Sequence, residues 1–299
     1  MKSSILRRTT SKILDTYETK KFIGQASYGN KMVQALTIAT SDSGGGAGIQ
    51  ADLKTFSALG VYGLSVFVAL TAQNTKQVKS IFRVPESFIN DQIDVLFEDF
   101  KIAALKTGML YDAGIIETIS EKLTFYKAKN LVIDPVMISK SGCILLKDEA
   151  IETLKNKLLP LSTVITPNIL EAEHLADLPI VDIETMKLAA KKLITYGCKY
   201  VLVKGGHLKG EEALDLLYDG KDFNIFKAKR INTKNTHGTG CTMSAAITAG
   251  LAMGMSVCKA VETAKEYLTN AIKSADSLNV GHGFGPLNHF YFLKPINKI

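Results

Sequence analysis

Short apolar, β-branched runs alternate along this chain with longer segments of helical period. That is the pattern of βα units wound about a mostly parallel sheet. The runs predict strands over 35–40, 64–73, 103–107, 131–135, 164–166 and 200–204. Between the first two, Ile49, Leu53, Phe56 and Leu59 share one face of a helix that Gly60 stops. The same period predicts helices over 86–100, 113–126, 148–158, 183–196, 240–253 and 256–275, with another starting at Asn168. After Lys204 the period changes, and 213–218 and 223–227 flank Asp219-Gly220, a hairpin signal. The expected fold is a three-layer α/β/α domain with a mostly parallel central sheet and a small antiparallel addition.

Composition sharpens this picture mainly at the N-terminus. The 299 residues are 46% hydrophobic and 22% charged, as in ordinary globular proteins. The net charge of +7 could point to nucleic acid, but it is unevenly placed. Residues 1–31 carry seven basic side chains against Asp15 and Glu18, which is +5 and leaves about +2 for the rest. No basic stripe with interleaved aromatics follows, so neither nucleic acid nor membrane is an expected partner. Residues 1–31 read as a poorly ordered extension and 32–299 as the functional domain. The leader lacks the apolar core of a secretory signal. Cys143, Cys198, Cys241 and Cys258 are widely spaced, which fits reduced thiols in the cytoplasm rather than a zinc site or a disulfide framework.

The candidate chemistry lies at the C-terminal ends of the predicted strands, where open α/β sheets bind ligands. Asn235 to Thr242 form a glycine-rich turn into an apolar helix, offering Gly238 and Gly240 amides to an anion. Cys241 falls in the helix's first turn, an environment expected to lower a thiol pKa; a plain helix cap with a packed cysteine would read the same way. Gly46 to Ala51 match the dinucleotide fingerprint, but the next strand ends in Gln73-Asn74 rather than an acid, and no Walker A motif is present. The amides of Gln73 and Asn74 suit a neutral heteroaromatic ligand, and Met109 could wall its ring or simply fill core. Asp134 ends an apolar strand, Asn168 and Glu171 could be a capping box or a metal-ordering pair, and Lys204-Gly205-Gly206-His207 suit phosphates. Hard oxygen donors of this kind fit Mg²⁺ bound largely through water and phosphate. The set describes phosphoryl transfer to a small aromatic acceptor.

With these motifs in order over 32–292, the chain resembles the hydroxymethylpyrimidine/phosphomethylpyrimidine kinases of thiamine biosynthesis, in the ribokinase superfamily. The matching segments include Ala72-Gln73-Asn74-Thr75, Gly108-Met109-Leu110, Ile165 to Asn168 and Gly281 to Pro286. The resemblance implies ATP as donor, Mg²⁺, a pyrimidine alcohol and its monophosphate as acceptors, and a homodimer. It places Gln73, Asp52, Met109, Thr40 and Gly48 around the pyrimidine, and Thr166, Asn168, Lys204, Gly206, His207 and Thr236 around the nucleotide. Glu171 and Asp134 would face the metal. Gly238, Gly240, Lys204 and Cys241 would act on the transferring group, with Cys241 taking the hydroxymethyl proton. Thr40 departs from the glycine usual in the subfamily. Some pyridoxal kinases share the scaffold and the cysteine, so that activity is the nearest alternative; a non-catalytic pyrimidine-binding module is the alternative from another class.

Overall fold

A run of buried residues, Ala35 to Thr40, makes β1 (Gln34–Thr40) an interior strand of the sheet. β2 (Tyr62–Gln73) pairs with it in parallel on one side and β4 (Ile102–Thr107) on the other. The computed structural model describes residues 32–137, 146, 148–206, 208 and 210–293. All elements fall in one compact unit, Val33–Tyr291. With β3 (Val78–Arg83), β5 (Leu131–Ile133), β6 (Val164–Ile165), β7 (Tyr200–Lys204), β8 (Glu212–Tyr218) and β9 (Phe223–Lys229), the sheet order is β3-β2-β1-β4-β5-β6-β7-β8-β9. Strands β2-β1-β4-β5-β6-β7 are parallel, while β3, β8 and β9 are antiparallel to their neighbours.

The helices are α1 (Gly48–Ala58), α2 (Glu86–Asp99), α3 (Ala113–Phe125), α4 (Asp148–Thr153), α5 (Ile169–Ala176), α6 (Ile183–Leu193), α7 (Thr239–Ala252) and α8 (Val257–Lys273). In α7 every residue from Thr242 to Leu251 is buried, which its apolar composition on all faces permits. At Gly250 an added Cβ would lie 2.9 Å from Ala260 Cβ, so α8 can approach α7 closely.

Three expectations change. The strand at Val78–Arg83 is absent from the sequence reading because its side chains are nearly all exposed, leaving no buried alternation to detect. Its pairing comes from β2, through Ala69↔Arg83 to Gln73↔Val78. The predicted 131–135 strand ends at Ile133, before Asp134 and a proline that has no N–H to give a ladder. The predicted 148–158 helix is α4 followed by a π-helical turn, Leu154–Leu158. Residues 1–31 and Cys143 lie outside the described residues.

Candidate active site

Consecutive strands leave β1 in opposite directions along the sheet, to β2 and then to β4. This reversal is the topological switch point where α/β sheets open a crevice at their C-terminal ends. Two loops meet there. Asp42, just beyond β1, accepts hydrogen bonds from the N–H groups of Gly44 (2.8 Å), Gly46 (3.1 Å) and Ala47 (2.9 Å). His237 Nε2, from the loop before α7, lies 2.8 Å from Asp42 Oδ2 and 3.4 Å from Gln73 Nε2. Burial pushes the Asp42 carboxyl up, but His237 and these amides outweigh it and hold it below its ordinary value. The packing leaves no room for side chains: a Cβ on Gly238 would sit 1.9 Å from Gly46 O, and one on Gly46 would sit 2.5 Å from His237 Cδ2.

A third segment ties the β2–β3 turn to the loop before α7. Thr75, in the β2–β3 turn, receives Gly283 N–H at its hydroxyl (3.1 Å) and Phe284 N–H at its carbonyl (3.0 Å). Gly285 O in turn accepts the His237 N–H at 3.1 Å.

The start of α7 faces a buried cluster of charge. A Cβ on Gly240 would lie 3.3 Å from both Asp134 Oδ2 and Lys204 Nζ. Lys204 Nζ donates to Asp134 Oδ1 at 2.8 Å, and Thr166 and Ser244 hydroxyls reach the same carboxylate at 3.3 and 3.4 Å. Burial alone would raise the Asp134 pKa, yet Lys204 and Lys106 outweigh it and keep the group ionised. Glu171 is the contrast. Burial pushes its carboxyl up to about 7 against the pull of Lys204, and the neighbouring Asp134 adds to the rise.

Glu171 also completes a capping box with Asn168: Asn168 N–H donates to Oε2 at 2.8 Å, and Glu171 N–H to Asn168 Oδ1 at 3.0 Å. Because the folded-state pKa is raised above the ordinary 4.5, this group favours the folded state below about pH 4.5 and loses that advantage as pH rises toward 7. Glu171→Gln should therefore leave the urea midpoint unchanged at pH 4.5 and raise stability at pH 8 by on the order of 1–3 kcal/mol. Equal midpoint shifts at both pH values would refute the assignment.

A second buried pair lies beside this one. Lys106 Nζ contacts both Asp52 oxygens at 2.9 Å, and Thr37 donates to Asp52 at 2.7 Å. Burial opposes the charge on Lys106, but the carboxylates of Asp52 and Asp134 overcome it and keep the ammonium protonated.

Cys241 departs from expectation. Its thiol is pushed up to about 12, first by burial and then by Asp52 and Asp134, with Lys106 and a hydrogen bond from Gly48 N–H pulling the other way. The helix end does not offset burial, so the ligand-free thiol is protonated at neutral pH.

Several predicted residues converge and others do not. Gly238, Gly240, Cys241, Lys204, Asp134, Glu171 and Asn168 gather at the α7 start, while Gln73 faces His237 across the loop junction. Gly48, at φ +56, closes the loop against Thr40, whose carbonyl would meet an added Cβ at 2.4 Å. Asp52 is fully buried with both oxygens engaged, so it supports the floor rather than presenting an oxygen to a ligand. Thr166 is likewise fully buried, behind Asp134.

The Thr40 hydroxyl donates to Met109 O at 3.1 Å, so its extra bulk is tied to the neighbouring strand end. Met109 itself is half-buried. The Thr236 carbonyl accepts the Thr239 hydroxyl at 2.6 Å, shaping the turn into α7. Gly206 is exposed, and His207 lies outside the described residues. Sequence reasoning missed Asp42, His237 and Lys106. The first two were visible only as members of glycine loops, and an isolated lysine in an apolar strand gives no sign of its partner 54 residues away.

Residues 42–288 match the family model described as phosphomethylpyrimidine kinase. The hydroxymethylpyrimidine/phosphomethylpyrimidine kinase of Escherichia coli K12 is 48% identical over 87% of this chain and 98% of its own length. The thiamine biosynthesis bifunctional protein ThiED of Geobacter sulfurreducens is 50% identical over 85% of this chain, which spans about half (51%) of that longer protein. Among solved structures, phosphomethylpyrimidine kinase from Clostridium difficile is 48% identical, with a TM-score of 0.73 over 80% of this chain and 99% of that one. The ADP complex of Bacillus subtilis pyridoxal kinase is 40% identical, with a TM-score of 0.82 over 88% and 99%. With the family model covering most of the folded unit and full-length relatives near half identity, the chain belongs to the phosphomethylpyrimidine kinase family, phosphotransferases of thiamine biosynthesis.

Proposed function

We propose that the protein transfers the γ-phosphoryl group of ATP to 4-amino-5-hydroxymethyl-2-methylpyrimidine and then to the resulting monophosphate. The observation that carries this reading is the meeting of a glycine-opened helix N-terminus with Lys204 and Asp134 at Gly240, the pair whose charges Glu171 feels. Amide donors and a lysine aimed at one point stabilise the charge of a transferring phosphoryl group. Gln73, with both an amide donor and an acceptor beside His237, is suited to an aminopyrimidine edge. Met109 would wall the ring. Lys204, Gly206, Asn168 and Thr236 would line the nucleotide, with Thr166 acting from behind Asp134.

The residues also fit Mg²⁺. Asp134 and Glu171 supply two carboxylates, and among the described residues no group of three or more His, Cys, Asp or Glu side chains forms a metal cage. That matches an ion held mainly by phosphate and water. When bound, Mg²⁺ neutralises charge on the β- and γ-phosphate oxygens. In the same reading Cys241 accepts the hydroxymethyl proton. Only the thiolate can do so, a form that Lys106 and Lys204 favour and burial opposes. Positioning and the amide donors therefore supply the larger share of the acceleration.

We read the protein as a homodimer, a view supported by the exposed apolar side chains of the β2–β3 hairpin, Leu70, Val78, Ile81 and Phe82. A cytoplasmic setting fits the free thiols of Cys198, Cys241 and Cys258, and among the described residues no helix is long and apolar enough to cross a membrane.

The test is ADP release with Mg-ATP and, in turn, the pyrimidine alcohol, its monophosphate and pyridoxine. Turnover of both pyrimidines is expected; preference for pyridoxine would move the chain to the alternative activity, and no turnover at all would favour a binding module. Gln73→Ala should raise the pyrimidine KM by roughly 10–100-fold with ATP KM unchanged, the cost of an unmade hydrogen-bond pair. An unchanged pyrimidine KM would remove Gln73 from the site.

A further inference from the structure

The connection from β7 to β8, residues 205–211, leaves the sheet directly after Lys204 and contains Gly205, Gly206 and Gly210. So much glycine gives a segment wide conformational freedom and few side chains with which to hold itself. Its root is fixed: Gly205 N–H donates to Leu214 O at 2.9 Å and to Asp215 Oδ1 at 3.1 Å. Asp215 Oδ2 is in turn held by Lys265 of α8 at 2.7 Å.

Beyond the root, the loop is gathered around one side chain. Arg230 follows the last residue of β9, and its guanidinium points back into the connection. Nη1 donates to Gly206 O at 2.6 Å, Nη2 to Leu208 O at 2.6 Å and to Glu212 O at 3.3 Å, and Nε to Gly210 O at 2.9 Å. The Arg230 backbone N–H adds a bond to Glu211 O at 2.8 Å. Every second carbonyl from Gly206 to Glu212 thus turns toward one planar cation. A guanidinium carries its donors in a rigid fork, so it fixes the spacing of the carbonyls as well as attracting them. These four side-chain bonds all go to backbone oxygens and none to a carboxylate. The charge is used to shape a loop. The outer face of that loop stays open, since a Cβ on Gly206 would meet nothing within 4 Å.

We infer that Arg230 is a positioning residue for the donor nucleotide, holding the loop after Lys204 in the form that receives the phosphates of Mg-ATP. This rests on the assignment of Lys204 and Gly206 to the nucleotide made above. Arg230 acts through the loop backbone, so its loss should weaken nucleotide binding without touching the acceptor or the chemical step. A lysine cannot replace it, because one ammonium does not span carbonyls spread over seven residues.

The experiment compares wild type, Arg230→Ala and Arg230→Lys in steady-state kinetics, varying ATP and pyrimidine separately, with calorimetric binding of Mg-ADP and amide hydrogen exchange. Arg230→Ala should raise the ATP KM and the Mg-ADP Kd about tenfold or more, with kcat and pyrimidine KM within about twofold of wild type. Exchange should quicken over 206–212 and stay unchanged in α7. Arg230→Lys should recover only part of the affinity; if the alanine variant folds poorly, the lysine variant carries the test, with a several-fold rise in ATP KM expected. An ATP KM within twofold of wild type in the folded variant, or an equal shift in pyrimidine KM, would overturn the inference. Absence of pyrimidine turnover by the wild type would instead sink the proposed function, and Mg-ADP binding would still decide the role of Arg230.

Discussion

Gly238→Ala should reduce kcat/KM by 10²-fold or more while leaving a folded protein. The residue has φ +84, and the added methyl would lie 1.9 Å from Gly46 O, so the two glycine loops must separate. That separation displaces the first amides of α7 and loosens the contact of His237 with Asp42. A displacement of about 1 Å at aligned donors costs on the order of 10²-fold in rate. The backbone strain itself costs only about 1–2 kcal/mol. The two effects can be separated with Gly254→Ala, at φ +82 but with nothing within 4 Å of the added atom. A larger loss of thermal stability at Gly238 than at Gly254, with activity lost only at Gly238, is the expected outcome. Equal activity in the two would show that the loop junction does not govern the site.

Lys204→Met should lower kcat by roughly 10²–10³-fold, the usual effect of removing one donor that stabilises transition-state charge. It should also destabilise the protein, because Asp134, almost wholly buried, loses its ion-pair partner. Breaking a buried pair on one side typically costs about 3–5 kcal/mol. Lys204→Met/Asp134→Asn removes the stranded charge and should recover much of the urea midpoint but none of the turnover. Recovery of both would mean that Lys204 holds the structure together and does not act on phosphate.

The fold was readable wherever burial or turn chemistry left a local mark. The parallel strands and the helix after Gly240 show it as apolar runs, and the hairpin shows it in Asp219-Gly220. β3 does not, since a strand exposed on both faces has no pattern to display. In the site, residues at strand ends and helix starts could be proposed from local spacing, as with Asn168, Glu171 and Lys204. Partnerships across the fold could not. Lys106 with Asp52, His237 with Asp42 and Arg230 with the loop after β7 each join segments whose closeness depends on the finished sheet. The Cys241 thiol illustrates the same limit: the local helix end predicts a lowered pKa, whereas burial among distant carboxylates raises it.

The clasp formed by Gly283, Phe284 and Gly285 has a consequence for biosynthesis. These residues follow every other part of the site in chain order, yet they tie the β2–β3 turn to the loop before α7. On the ribosome, the sheet and both glycine loops emerge first and wait for this segment. The site is therefore joined across its mouth only after the scaffold that carries it can already have formed.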